Sequence, residues 1–346
     1  MTLNDIEASF MRPSTRIYVA GHRGLVGSAI LRRLQQDGRA SLITRPRADL
    51  DLGDQAQVRE FFEAEAPEMV FLAAAKVGGI WANASLPAEF IQQNLAIQNN
   101  VIHEAWRSGV KRLLFLGSSC IYPRDCPQPM KEEYLLTGPL EETNRPYALA
   151  KIAGIEMCWA YNRQYGTRFY CVMPTNLYGP GDNFDLYSSH VIPAMLRKFH
   201  EAKCHGEARG QVVLWGSGAP RREFLHVDDM ADACVFLMSL PDRKLDQAFR
   251  RAQDAVMNPS SFAPLLNVGC GEDITVRELA GLIKDTVSYE GEVVWDRNKP
   301  DGTPRKLLDV KRLRTVGWSP RITLREGLAS TYCWYLENAS AVRMKV

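Results

Sequence analysis

What this chain lacks narrows it first. No uninterrupted apolar run reaches the roughly 18 residues that a membrane-crossing helix needs, so no membrane partner is expected. Neither charge dominates: 42 Lys and Arg stand against 40 Asp and Glu, a formal net charge of +2. That balance excludes the broad electropositive surface of a nucleic-acid binder and leaves only local basic sites. Eight cysteines (Cys120, Cys126, Cys158, Cys171, Cys204, Cys234, Cys270 and Cys333) include no CxxC pair. Thiolate metal sites and a disulfide framework are therefore disfavoured, and no metal is expected. Low-complexity tracts and repeats are also missing. The opening MTLNDIEASFMRPSTR has no apolar core of a signal peptide, so residues 1–15 read as a flexible extension and the cytoplasm as the expected compartment.

What is present is a chain of 346 residues, 46% hydrophobic, enough for one large domain or two. From residue 16 short apolar runs alternate with segments of helical periodicity. RIYVAG, SLIT (41–44), MVFLAAA (69–75), RLLFLGSS (112–119) and RFYCVMPTN (168–176) read as strands. SAILRRLQQDG, QVREFFEAEAP, residues 90–109 and residues 148–166 read as the helices between them. Apolar strands without alternation mean a parallel sheet covered on both faces. The expected fold is α/β: a Rossmann-type doubly wound parallel sheet with a smaller, interleaved C-terminal α+β substrate lobe. Residues 16–180 would form the dinucleotide-binding domain, rejoined by segments near 224–240 and 264–270. Residues 181–346 would mainly form the substrate lobe.

The first strand runs into Gly21-His22-Arg23-Gly24-Leu25-Val26-Gly27 and then a helix. Gly21 allows the sharp turn, Gly24 lets backbone approach a pyrophosphate, and Gly27 lets helix and strand pack closely. The helix N-terminus offers free amides to the anion. An NAD site carries Asp or Glu after the second strand; here Thr44-Arg45-Pro46-Arg47 follows it, and Arg23 lies in the loop. Guanidinium groups suit a 2′-phosphate, so the expected cofactor is NADP, with contact from Arg45 or Arg47 left open. The plain alternative for both arginines is a solvated surface turn.

Tyr147 and Lys151 are four apart at the start of a helical run and share one face. A phenol is a poor proton relay at neutral pH, and an ammonium beside it is expected to favour the phenolate. Upstream, the fourth strand ends in Gly117-Ser118-Ser119, where a serine hydroxyl can orient a substrate carbonyl.

With those residues in view, the chain resembles the extended short-chain dehydrogenase/reductase family from about residue 16 to about 338. AGHRGLVGSAI, FLAAAKVGGI, LFLGSSCIYP, YALAKIAGIE, PTNLYGPGDNF, SHVIPA, WGSGAPRREFLHVDDM and KPDGTPRKLLD carry the likeness. The resemblance is to those members that epimerise GDP-4-keto-6-deoxy-D-mannose at C3 and C5 and then reduce C4 with NADPH, giving GDP-L-fucose. It implies Ser118, Tyr147 and Lys151 as reductase residues, and Cys120 and His190 as the acid–base pair of epimerisation. It further implies Gly21, Arg23, Gly24, Leu25, Val26, Gly27, Arg47, Leu116, Ser118, Lys151, Pro174, Asn176, Leu177 and His190 on the cofactor. Lys198, Trp215, Arg222 and Asp301 would hold the substrate. A homodimer through residues 90–109 and 148–166 is the family's habit. The chain departs from the pattern in its N-terminal extension and in an insertion near 245–261.

Each residue also has a plainer reading. Cysteine is among the most buried residue types, so Cys120 alone would pass as core filler, as the other seven do. Arg221-Arg222-Glu223 would pass as a surface ion-pair cluster, and HVDDM as the cap of the following helix. Competing functions are a nucleotide-sugar 4-epimerase or 4,6-dehydratase of the same family, or a non-catalytic NADP-sensing protein. Dehydratases carry an Asp-Glu pair where this chain has Cys120-Ile121, and sensing proteins lose the tyrosine or lysine that this chain keeps.

Overall fold

Strands of four to six apolar residues cannot bury themselves; here the helices between them lay them edge to edge. The first part of the chain runs β1 (Ile17–Ala20), α1 (Leu25–Gln36), β2 (Leu42–Ile43), α2 (Gln55–Glu65) and β3 (Met69–Leu72). It continues through α3 (Ile80–Ser85), α4 (Pro87–Arg107), β4 (Arg112–Leu116), α5 (Arg145–Tyr165) and β5 (Phe169–Pro174). Then come β6 (Asn176–Tyr178), α6 (Val191–Cys204), β7 (Gln211–Trp215), β8 (Arg221–Arg222), β9 (Phe224–His226), α7 (Val227–Ser239) and α8 (Asp242–Phe249). The last part holds β10 (Leu265–Val268), β11 (Ile274–Thr275), α9 (Val276–Val287), β12 (Glu292–Asp296), β13 (Arg305–Lys306), α10 (Lys311–Thr315) and α11 (Leu324–Arg343). This computed structural model describes residues 11–38, 41–186, 188–204, 210–249, 264–299 and 301–343.

Six strands form one parallel sheet in the order β10-β5-β4-β3-β1-β2. The chain steps outward from β1 to β2 and then crosses back to β3. The switch point between β1 and β3 opens a crevice at their C-terminal ends, where α/β sheets bind ligands. Along each strand successive side chains feed opposite cores. Ile17 and Val19 join Ile30, Leu34, Met230 and Cys234, whereas Tyr18 and Ala20 join Phe62, Ile102 and Ile155. Helices α1 and α7 thus cover one face, and α2, α4 and α5 the other. The parallel α/β sheet read from the sequence is the sheet observed. A third core of Tyr178, Phe184, Leu196, Ile283 and Tyr335 belongs to the second lobe. Around it the described residues form small sheets, β11-β8-β13 and β12-β7, while β6 pairs with β9.

Some boundaries differ from expectation. The fourth strand stops at Leu116 rather than 119, because Ser118 turns to accept a hydrogen bond from the Cys120 amide and starts a 3-10 turn over Ser119–Ile121. Met11 and Thr15 are buried, so the chain is packed from Met11; residues 1–10 of the expected extension lie outside the described residues. In the insertion near 245–261, Leu245, Ala248 and Phe249 of α8 are buried, and residues 250–261 lie outside the described residues. The cysteines correct a simpler reading. All eight are free, but only Cys158, Cys171 and Cys234 are buried, while Cys126 and Cys270 are half-buried and Cys204 and Cys333 exposed. Among the described residues no helix is long and apolar enough to cross a membrane.

Helix α5 lies against the sheet with almost no clearance. A Cβ built on Gly154 would stand 2.6 Å from the Phe115 ring and 2.9 Å from Gln98 Oε1. Gln98 Nε2 in turn donates to the Ala150 carbonyl at 2.6 Å, pinning α4 to α5. Gly281 in α9 is the contrasting helical glycine, exposed and with nothing within 4 Å. Chemical denaturation of the two alanine variants should therefore give opposite signs. Gly281→Ala gains about 0.5–1 kcal/mol of helix stability. Gly154→Ala loses about 1 kcal/mol net, since overpacking against a buried ring outweighs the same propensity gain. Stabilisation by both would show that the close docking of α5 is not a constraint.

Candidate active site

The glycine loop is built as the sequence implied. Gly21 has φ +83°, and a Cβ there would lie 2.7 Å from the Ala74 amide at the end of β3. A Cβ on Gly27 would stand 2.1 Å from the Gly21 carbonyl oxygen. No other residue fits at either position. Gly24 is the N-cap of α1 and provides no side-chain cap, so the first-turn amides, those of Leu25 and Val26 among them, face outward unserved. His22 Nδ1 is buried without a hydrogen-bond partner, and burial, then Arg23, lowers that imidazole's pKa. Unserved amides and an orphaned polar atom are what a bound diphosphate would satisfy, so the residues present fit a dinucleotide. The two arginines after β2 differ. Arg45 is committed to the Glu65 carboxylate and, at 2.8 Å, to the Thr44 carbonyl. Arg47 is 78% exposed and, among the described residues, pairs only with Asp51 at 3.5 Å.

At the C-terminal end of β4 the chemistry gathers. Lys151 is buried, and its Nζ donates to the Leu116 carbonyl at 2.7 Å, 4.6 Å from the Phe115 ring centroid and 5.8 Å from that of Tyr147. Burial pulls its pKa down from 10.5 to about 7. The Ser118 hydroxyl lies near enough to Tyr147 to favour its phenolate. The pKa of Tyr147 is raised, first by burial and then by the neighbouring Cys120, with Ser118 working the other way. The expected lowering of the phenol is therefore not observed; burial outweighs it. The reason is physical: burial weakens the hold of Lys151 on its proton, and the same dry surroundings penalise phenolate. Cys120 is half-buried, and Asn144 Nδ2 donates to its Sγ at 3.2 Å.

The remaining candidates fall around this group. His190 stands just before α6 and is open to water, yet crowding protein disfavours its charged form and lowers its pKa. Among the described residues no side chain hydrogen-bonds its ring. The segment ahead of it is fixed by Gly79, whose amide donates to the Ser188 carbonyl at 3.0 Å. Pro174 ends β5, and Asn176 and Leu177 open β6; Asn176 Nδ2 donates to the Glu223 carbonyl at 2.9 Å, so its amide already has a structural partner. In the second lobe Trp215 is 65% exposed, with Lys299 Nζ 5.3 Å over its ring. Asp301 accepts from the Ser217 amide and hydroxyl at 2.6 and 2.7 Å. Arg222, whose pKa burial lowers, sits within the field of Asp301. Lys198 Nζ donates to the Val213 carbonyl at 3.3 Å, and burial lowers its pKa too.

The plain reading of Arg221-Arg222-Glu223 as one ion-pair cluster fails. Arg221 pairs with Asp273 at 2.7 Å, Arg222 donates to the Arg221 carbonyl at 2.8 Å, and Glu223 is fully buried, accepting from the Gly271 and Leu308 amides. HVDDM is structural, though not quite as expected. His226 caps α7 by accepting from the Asp228 amide, while Asp229 reaches across to the Arg321 and Ile322 amides. Asn144 went unnoticed in the sequence because an Asn before Arg145-Pro146 reads as an ordinary helix cap. Its side chain makes no capping bond.

Comparison with known proteins bears on the family. The model of the NAD dependent epimerase/dehydratase family matches residues 17–249. The chain is 56% identical over 331 residues to the putative GDP-L-fucose synthase 2 of Arabidopsis thaliana, covering 95% of this chain and 94% of that one. It is 54% identical over 328 residues to the GDP-L-fucose synthase of Escherichia coli (strain K12), covering 95% and 98%. Among solved structures it resembles a GDP-L-fucose synthetase from Naegleria fowleri bound to NADP, with a TM-score of 0.83 at 26% identity, covering 96% and 97%.

The state of Lys151 has a measurable consequence. With its pKa lowered to about 7, the folded protein holds fewer protons than the unfolded chain between about pH 7 and 10.5. The penalty is full below pH 7 and is relieved as pH rises, so this group makes stability increase with pH across that window. Lys151→Met removes the dependence. The melting-temperature difference, variant minus wild type, should fall steadily from pH 7 to pH 10; a flat difference would mean that the lysine is not desolvated.

Proposed function

We infer that this chain, which belongs to the NAD dependent epimerase/dehydratase family, converts GDP-4-keto-6-deoxy-D-mannose to GDP-L-fucose by epimerisation at C3 and C5 and reduction at C4. The observation that carries the reading is the joined group of Ser118, Cys120, Asn144 and Tyr147 at the C-terminal end of β4, with Lys151 behind it. A ketone at C4 acidifies the protons on both flanking carbons. Cys120 and His190 act there as proton acceptor and donor from opposite faces. Crowding protein lowers the pKa of His190, so its imidazolium gives up a proton more readily, as the donor's role requires. The negative charge that collects on O4 is met by the hydroxyls of Ser118 and Tyr147, so one oxyanion site serves both half-reactions.

The nicotinamide cofactor is NADPH, which when bound supplies a hydride to C4. Tyr147 then gives its proton to O4 and regains one by way of Lys151. The amides of the Gly21–Gly27 loop hold the diphosphate, and Arg47, less engaged than Arg45, takes the 2′-phosphate. Negative phosphates would favour the ammonium of Lys151, and that charge in turn would favour the phenolate of Tyr147. In the second lobe Arg222 and Lys198 meet the substrate diphosphate, Asp301 its polar edge and Trp215 its base. A homodimer would form through α4 and α5, and eight free thiols suit the cytoplasm.

Two variants separate the half-reactions. Cys120→Ser should cut solvent deuterium incorporation at C3 and C5 by about a hundredfold or more while NADPH binding survives. Tyr147→Phe should abolish NADPH oxidation with a smaller loss of exchange. Equal exchange in Cys120→Ser and wild type would remove Cys120 from the mechanism, and NADPH-neutral turnover would point to a 4-epimerase instead.

Cofactor preference is tested by Arg47→Ala, with KM for NADPH rising about tenfold and KM for NADH little changed. A parallel rise in both would assign the 2′-phosphate elsewhere.

A further inference from the structure

We propose that Asn144 is a positioning residue for the acid–base thiol: its side-chain N–H group orients Cys120 Sγ and favours the sulfur that has given up its proton. The proposal rests on the epimerase-reductase reading of the site. Its physical basis is a side chain that gives up its usual work. Asn144 is the N-cap of α5, a position where asparagine normally accepts a hydrogen bond from a first-turn amide. It makes no such bond. Pro146, at the second helical position, has no amide to be capped, which frees the side chain for another partner.

The partner is sulfur. Asn144 Nδ2 lies 3.2 Å from Cys120 Sγ, a normal N–H···S distance, and its Oδ1 is buried without any partner. Native proteins pair nearly all buried polar atoms, and the exceptions collect at functional sites. An amide that forgoes capping and strands its own oxygen is held in place by what its nitrogen does. A thiol both donates and accepts weakly, but a thiolate only accepts, so an N–H donor strengthens as the proton leaves. The surrounding donors agree. Cys120 follows Ser118, whose hydroxyl takes the Cys120 amide at 3.3 Å, so the backbone that carries the thiol is fixed independently of Asn144. Asn144 therefore orients the sulfur rather than building the turn.

The experiment follows alkylation of Cys120 by iodoacetamide across pH, read by mass analysis of the Cys120 peptide in the full-length protein. Solvent deuterium exchange on the 4-keto sugar nucleotide is measured in parallel. Asn144→Asp keeps the shape but replaces the donor with a carboxylate, and should shift the alkylation profile upward by about one pH unit, slowing reaction at neutral pH about tenfold. Asn144→Ala removes the donor without adding charge and should shift the profile less, in the same direction. Deuterium exchange should fall about tenfold in Asn144→Asp, with KM for the sugar nucleotide and the NADPH dissociation constant within about threefold. A loosened fold would instead speed alkylation at every pH and raise both constants. Alkylation profiles equal to wild type in both variants would overturn the proposal, as would shifted profiles with unchanged exchange. Absence of exchange in the wild type would be a failure of the functional reading, and the alkylation profiles would still decide whether Asn144 acts on the sulfur.

Discussion

The site depends on one buried ammonium. Lys151 crosses from α5 to the last carbonyl of β4, and that single bond fixes where the helix sits along the strand. Gly154, one turn further on, makes the approach possible by having no side chain to hold the Phe115 ring away. Once α5 is docked at that height, Tyr147 falls one turn earlier and Asn144 at the helix start, both above the Gly117–Cys120 loop. Burying a cation costs stability unless it is paired. Lys151 has a carbonyl and two aromatic rings for company and, among the described residues, no carboxylate, and its charge is correspondingly easy to lose. The fold carries that cost where the chemistry needs a lysine that can give and regain a proton near neutrality.

Charge at Cys120 and charge at Tyr147 oppose each other. The cysteine raises the phenol's hold on its proton, on top of what burial does. While sulfur is the charged group, Tyr147 remains a neutral donor, the form that can bond to an oxygen gathering negative charge. When the hydride arrives, the oxygen at C4 becomes the stronger base and draws the phenol's proton. Two reactions with different demands thus share Ser118 and Tyr147 without either residue moving.

Much of this was legible in the sequence because it obeys local rules. Gly21 and Gly27 are forced by backbone clearance, strand–helix alternation dictates a parallel sheet, and a four-residue spacing puts Tyr147 and Lys151 on one face. What escaped depends on tertiary distance. Asn144 looks like a cap until its neighbour across the turn is seen to be a thiol. Glu223 looks like one third of a surface cluster until it is found buried under the Gly271 and Leu308 amides. The pKa of Tyr147 is raised by burial and by Cys120 where the spacing to Lys151 suggested a lowering, since spacing reports proximity and is silent about solvent. Exposure of Cys204 and Cys333 was lost the same way, a residue-type average standing in for a place in the fold.

The central claim is that one oxyanion site performs both proton exchange and reduction. The most direct measurement incubates the wild-type protein with GDP-4-keto-6-deoxy-D-mannose in heavy water, first without and then with NADPH. Deuterium should enter C3 and C5 of the recovered sugar before any cofactor is added. NADPH should then be consumed one for one as GDP-L-fucose forms with that deuterium retained. Reduction that proceeds with no label at C3 or C5 would contradict a shared site, and so would exchange that never leads to NADPH oxidation.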